Sequence, residues 1–164
     1  MRTAALIVIT LAAACSKKSS DPKDCKPLTV TVDGTPLTGF QPTGLARMDK
    51  MGAESPYEVE VFNHTKITCE QWMNKKGRTV EPGEVAVRAL AGGKGMMGKG
   101  IGLGAHMQFE GDITVVGAKP TKIGDQVTLC ASELTFTPQV GEHKGKKVTV
   151  GGLFAGSYCG EMQF

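Results

Sequence analysis

Five cysteines carry the most readable chemistry in this chain: Cys15, Cys25, Cys69, Cys130 and Cys159. A thiol forms a disulfide, ligates a soft metal or attacks as a thiolate, and spacing helps to separate these fates. No two of the five form C-x-x-C, so neither a thioredoxin-type redox pair nor a zinc knuckle is indicated. Cys69-Glu70-Gln71 matches no nucleophile signature. The four cysteines after Cys15 are even in number and widely spaced, which in an oxidising compartment reads as two disulfides. Three connectivities are open. Joining segments near in the chain favours Cys25–Cys69 with Cys130–Cys159.

Other candidate chemistry is weaker. Gly93 to Lys99 spells G-x-x-x-x-G-K, but Gly100 stands where a phosphate loop needs a hydroxyl for magnesium. Gly93, Gly95 and Gly98 spell G-x-G-x-x-G with no helix pattern after them to receive a pyrophosphate. No nucleotide site is expected. From Gly98 to Gly104 glycine falls on every second residue, with Lys99, Ile101 and Leu103 between. Residues 92–104 are read as a surface loop whose strand portion, if any, lies at a sheet edge. His106-Met107 near Met96 and Met97 offers soft ligands to cuprous copper, though without the repeated spacing of a copper motif. No metal site or cofactor is therefore assigned.

His64 and His143 read as solvated surface histidines, and Trp72 as a core anchor beside Cys69. Glu58 and Glu60 fall about 7 Å apart on one strand face and read as a solvated face, not an acid/base pair. Neither G-x-S-x-G nor H-E-x-x-H occurs, and no enzyme is expected.

The elements that position these residues show period-two alternation. Leu28, Val30 and Val32 alternate with threonines before the turn Asp33-Gly34. Tyr57, Val59 and Val61 alternate with the two glutamates, and Val85, Val87 and Ala89 with Glu84 and Arg88. Ile113 and Val115 begin another strand. Val127 and Leu129 share one face, whereas Leu134 and Phe136 take the opposite phase, so a bulge near Ser132 is expected. Lys144, Gly145, Lys146 and Lys147 suggest an exposed turn before Val148 and Val150; Phe154, Tyr158, Met162 and Phe164 share a phase to the end. No stretch shows a helical period with caps. The expected fold is all-β, an antiparallel sandwich or alternatively a small barrel, stapled by two disulfides. The terminal Phe164 is similar to the assembly signal of outer-membrane barrels. Sparse aromatics and charged outer phases argue against a spanning barrel.

Residues 1–14 have three parts: Arg2, then an apolar run of Leu6, Ile7, Val8, Ile9 and Leu11, then Ala12, Ala13 and Ala14. The run is too short to span a bilayer. Leu11-Ala12-Ala13-Ala14-Cys15 resembles the lipobox of bacterial lipoproteins, departing from the family at Ala12, where Leu is favoured. The resemblance implies a signal peptide over 1–14. It also implies a Cys15 carrying diacylglycerol and an acylated amino terminus, with chains of the palmitate class. Several such chains anchor firmly, since each buried methylene contributes about 0.8 kcal/mol. Residues 15–25 then form the lipidated cysteine and a polar tether, and 26–164 a single β-rich domain of about 140 residues, enough for one core. By the same resemblance, Ser16 after the cysteine implies sorting to the outer membrane, on either side of it.

The formal charge of +3, about +2 without Arg2, is close to neutral and implies no nucleic-acid partner. The expected function is a lipid-tethered, extracytoplasmic, non-enzymatic interaction or envelope-structural module with an envelope protein as its possible partner. The alternative is a small-ligand or copper-binding lipoprotein using the glycine- and methionine-rich stretch.

Overall fold

A computed structural model describes residues 24–50, 56–63, 67–74, 85–91, 100–103, 109–139 and 141–163. Among the described residues, the alternating stretches become strand over most of their length. β1 (Thr29–Val32) and β2 (Thr35–Pro36) form a hairpin closed by Asp33 and Gly34, both left-handed at φ 49° and 79°. That pair of positive φ values matches the twist of the flanking strands, which is why Asp-Gly serves there. The remaining strands are β3 (Gly44–Lys50), β4 (Tyr57–Phe62), β5 (Ala86–Ala91), β6 (Gly100–Leu103), β7 (Phe109–Glu110), β8 (Ile113–Val116), β9 (Gln126–Phe136) and β10 (Val148–Gln163).

β10 is the spine. One of its edges pairs antiparallel with β9 from Val148 to Ser157. Its other edge pairs first with β1, antiparallel, and from Gly156 onward with β3, in parallel. The sheet then continues antiparallel through β4, β5, β6 and β7, while β8 lies against the far edge of β9. These ten strands make one sheet, curled so that β8 and β9 contact β5. The all-β class and its two disulfides are as the sequence led one to expect. The architecture is an open, curled sheet of mixed strands, a half-barrel, in which β3 and β10 pair in parallel.

The concave face holds the main core. Val59, Val87, Leu129, Val148, Val150 and Phe154 are all fully enclosed there. Truncating a buried phenylalanine such as Phe154 costs about 3–5 kcal/mol in general. The bulge falls where the change of phase put it: Val150 registers with Leu134 and Gly152 with Ala131, leaving Ser132 and Glu133 opposite Gly151. The extra residue lets Val127, Leu129 and Ala131 bury before it and Phe136 after it. A Cβ on Gly151 would stand 2.8 Å from the Glu133 Cα, so the bulge requires glycine across from it.

Two expectations are corrected. A helix does form, α1 (Cys69–Asn74). Thr68 and Gln71 cap it reciprocally: the Gln71 amide donates to Thr68 Oγ1, and the Thr68 amide donates to Gln71 Oε1. Six residues are too few to display a period, which is why alternation alone overlooked it. Residues 100–103 of the glycine-rich stretch form β6, which pairs with β5 on one side and β7 on the other, so this strand is not the sheet edge. Residues 92–99 and 104 lie outside the described residues.

Candidate functional site

The convex face of β3, β4 and β5 carries the most unusual chemistry. β4 is buried on both faces. Tyr57, Val59 and Val61 enter the concave core, while Glu58, Glu60 and Phe62 point to the other side. The reading of Glu58 and Glu60 as a solvated face is overturned: they are 1% and 4% exposed. Arg47 and Asp49 of β3 are buried with them, and Arg88 of β5 is partly covered.

Register brings these groups together. Arg47 stands directly across from Glu58, and its Nη2 donates to Glu58 Oε2 over 2.8 Å. Arg47 Nε lies 2.9 Å from Asp49 Oδ1, two residues along the same strand. Arg88 is paired across from Glu60, yet its Nε leans diagonally to within 3.1 Å of Glu58 Oε1, leaving Nη2 at 3.9 Å from Glu60 Oε1. The Nε contacts of both arginines are close enough for ion pairing but misaligned for hydrogen bonding. Trp72 completes the layer from α1. Its Nε1 donates to Glu60 Oε2, and the Arg47 guanidinium carbon sits 4.8 Å from the centroid of its ring.

Among the described residues, three carboxylates therefore face two guanidinium groups, one negative charge in excess when all are ionised. Burial of a charge without full compensation is costly, and a carboxylate escapes the cost by keeping its proton. Glu58 does so. Burial pushes its carboxyl up to about 7, reinforced by Asp49 and Glu60 and opposed by Arg88 and Arg47. The layer thus holds or releases a proton near neutral pH.

α1 is fastened beside this layer. Trp72, Leu45, Phe62 and Cys159 form a second apolar cluster, joined by Ile67, Cys69 and Met73. The disulfide Cys69–Cys159 ties the first residue of α1 to β10, and Cys25–Cys130 ties the start of the domain to β9. This connectivity corrects the expected Cys25–Cys69 and Cys130–Cys159. β9 and β10 lie side by side, but Cys130 registers with Leu153, so Cys130 and Cys159 sit far apart along the strands. Trp72 is the anchor expected of it, though it packs on the convex side.

A second feature is an open groove of about 530 Å³ around Cys25–Cys130. Its walls include Asp24, Lys26, Asp112, Ser132, Glu133 and the backbone of Gly151 and Gly152. The groove therefore lies beside Asp24 to Pro27, at the bulge. Among the described residues no three His, Cys, Asp or Glu side chains are grouped to hold a metal ion.

Of the other residues singled out in the sequence, Lys144, Lys146 and Lys147 lie exposed in the turn before β10, as expected. His143 in that turn differs from expectation: both ring nitrogens are buried, with no hydrogen-bond partner among the described residues. Cys15, His64, Met96, Met97, His106 and Met107 lie outside the described residues. The sequence reading did not single out Arg47 and Asp49, nor Arg88 as a partner of the glutamates. A signal was present: arginines alternate with apolar residues on strands flanking a strand that alternates glutamates. No family model, curated protein or solved structure matches the chain.

Proposed function

We propose that this chain is an exported lipoprotein, held at the outer membrane through lipid on Cys15. Residues 26–164 would then serve outside the cytoplasm as a non-enzymatic interaction or envelope-structural module. The observation that carries this reading is the partition of the cysteines. Cys25 with Cys130 and Cys69 with Cys159 account for four of the five, so Cys15 is left over, and it is the cysteine of the lipobox-like segment. Disulfides closing such long stretches of chain also favour an oxidising compartment over the cytosol. The charged side chains of the convex face are engaged with one another, which favours a structural part for them over catalysis.

The decisive experiment compares the full chain with Cys15→Ala in cells. The parent should incorporate labelled fatty acid and stay with outer membranes through a carbonate wash. The variant should lose the label and move to the soluble fraction. A variant that remained bound and labelled would overturn the lipid anchor. Cross-linking on intact membranes should yield a discrete protein adduct that requires the folded domain, and its absence would count against the interaction role.

A further inference from the structure

We propose that α1 is a clasp over the convex face whose closure is governed by protonation of Glu58: closed with Glu58 neutral, increasingly open with Glu58 ionised. Besides the apolar packing of Trp72 and Met73 with Leu45 and Phe62, polar and covalent links join α1 to the sheet. Trp72 Nε1 donates to Glu60, the Trp72 ring lies against Arg47, and Cys69 is bonded to Cys159. The first two end on members of the ion layer. The third is covalent, stands three residues before Trp72, and acts as a hinge that limits how far α1 can travel.

Glu58 is the member to which both arginines are bound. Arg47 reaches it at 2.8 Å and Arg88 at 3.1 Å. Among the described residues, the charged groups facing it are Arg47 and Asp49 from β3, Glu60 from β4 and Arg88 from β5. With Glu58 neutral, two arginines balance Asp49 and Glu60, and the described residues of the layer carry no net charge. Arg88 is then free to serve Glu60, the residue that holds Trp72. With Glu58 ionised, one negative charge is uncompensated beneath α1. Lifting α1 exposes the carboxylates to water and relieves that cost. Burial in the closed form raises the proton affinity of Glu58, so closure and proton uptake must favour each other.

Trp72 supplies the probe. Its backbone amide donates to the Thr68 carbonyl over 3.0 Å, and its exchange with deuterium reports the opening of α1. The experiment is amide exchange on the oxidised full chain between pH 4.5 and 8, corrected for the intrinsic rate at each pH. The Trp72 amide should be less protected than the amide of Leu129 in β9, marking an opening short of global unfolding. Its protection should fall by roughly two orders of magnitude as pH rises to 7, each unit of raised proton affinity being worth tenfold. In Glu58→Gln it should stay level across the range. Trp72 protection that ignores pH in the parent overturns the proposal, as does protection equal to that of Leu129. A slope that survives in Glu58→Gln also overturns it. Should that variant not fold, the carbon-13 shift of the Glu58 carboxyl in the parent takes its place. Its midpoint must match the end of the fall in protection, and a midpoint in the ordinary glutamate range overturns the proposal.

Discussion

Arg47 and Glu58 face each other across the β3–β4 register, joined by a 2.8 Å hydrogen bond, with both side chains nearly sealed from solvent. The pair stands at the centre of the ion layer on the convex face. Arg47 reaches Asp49 with its Nε and covers the Trp72 ring, while Glu58 gathers Arg88 from the other side. A buried pair of this kind is not a strong source of net stability, because desolvation offsets much of the attraction. Breaking it is another matter.

Arg47→Met should be severely destabilising. The apolar replacement fills part of the volume but leaves Asp49 and Glu58 buried without their main cation. Losing one partner of a buried pair costs about 3–5 kcal/mol. Urea unfolding at pH 7 should show the loss as a lower midpoint at unchanged slope. A change below about 1 kcal/mol would mean that the layer is open to water.

The domain should lose stability as pH rises from about 4.5 to about 7. Burial holds Glu58 at about 7 in the folded state against an ordinary 4.5, so its contribution is complete below 4.5 and is lost as the pH climbs to the folded value. The loss is about 3 kcal/mol at most, at roughly 1.4 kcal/mol per unit. Among the described residues, the other shifted groups stay out of this window. Hydrogen bonds from the backbone and hydroxyl of Thr121 and the amide of Lys122 hold Asp125 below its usual range. Burial, then Glu161, raises Tyr57 and Tyr158 above theirs. Urea midpoints at several pH values should fall for the parent and remain level for Glu58→Gln.

Peptide mapping without reduction should join Cys25 to Cys130 and Cys69 to Cys159. A fragment joining Cys25 to Cys69 would contradict the sheet order itself. Replacing both Cys69 and Cys159 by serine should cost about 4–5 kcal/mol by the chain-entropy relation for a loop near 90 residues, the sequence separation of that bridge. The loss should appear in thermal unfolding of the oxidised protein.

Gly44→Ala should disrupt the parallel pairing of β3 with β10. Gly44 registers with Gly156, and a Cβ at Gly44 would lie 2.0 Å from the Glu60 carbonyl oxygen and 2.9 Å from the Val61 Cα. Both obstacles are backbone, so β4 would have to move as a strand. The expected cost is about 1–3 kcal/mol or more, as for overpacked cores, measured by the urea midpoint. Gly34→Ala meets open space, and its cost should come only from the left-handed φ of 79°.

Local patterning determined much of this protein by itself. The Asp33-Gly34 hairpin, the strands at Tyr57–Phe62 and Ala86–Ala91 and the bulge at Ser132 and Glu133 follow from side chains alternating across a strand, a property of the backbone alone. The capping pair Thr68 and Gln71 was written there too, though its helix is too short for a period to announce it. Alternation says which residues share a face and nothing about what covers that face. Glu58 and Glu60 were legible as neighbours on one side of β4, but their burial depends on partners from β3, β5 and α1, separated from them in sequence. The disulfides obey the same limit. Which cysteines meet depends on β10 running between β9 on one edge and β1 and β3 on the other, an order set by packing of the whole sheet. Contacts between distant segments are decided by the collective burial of the core, and only the tertiary structure contains that sum.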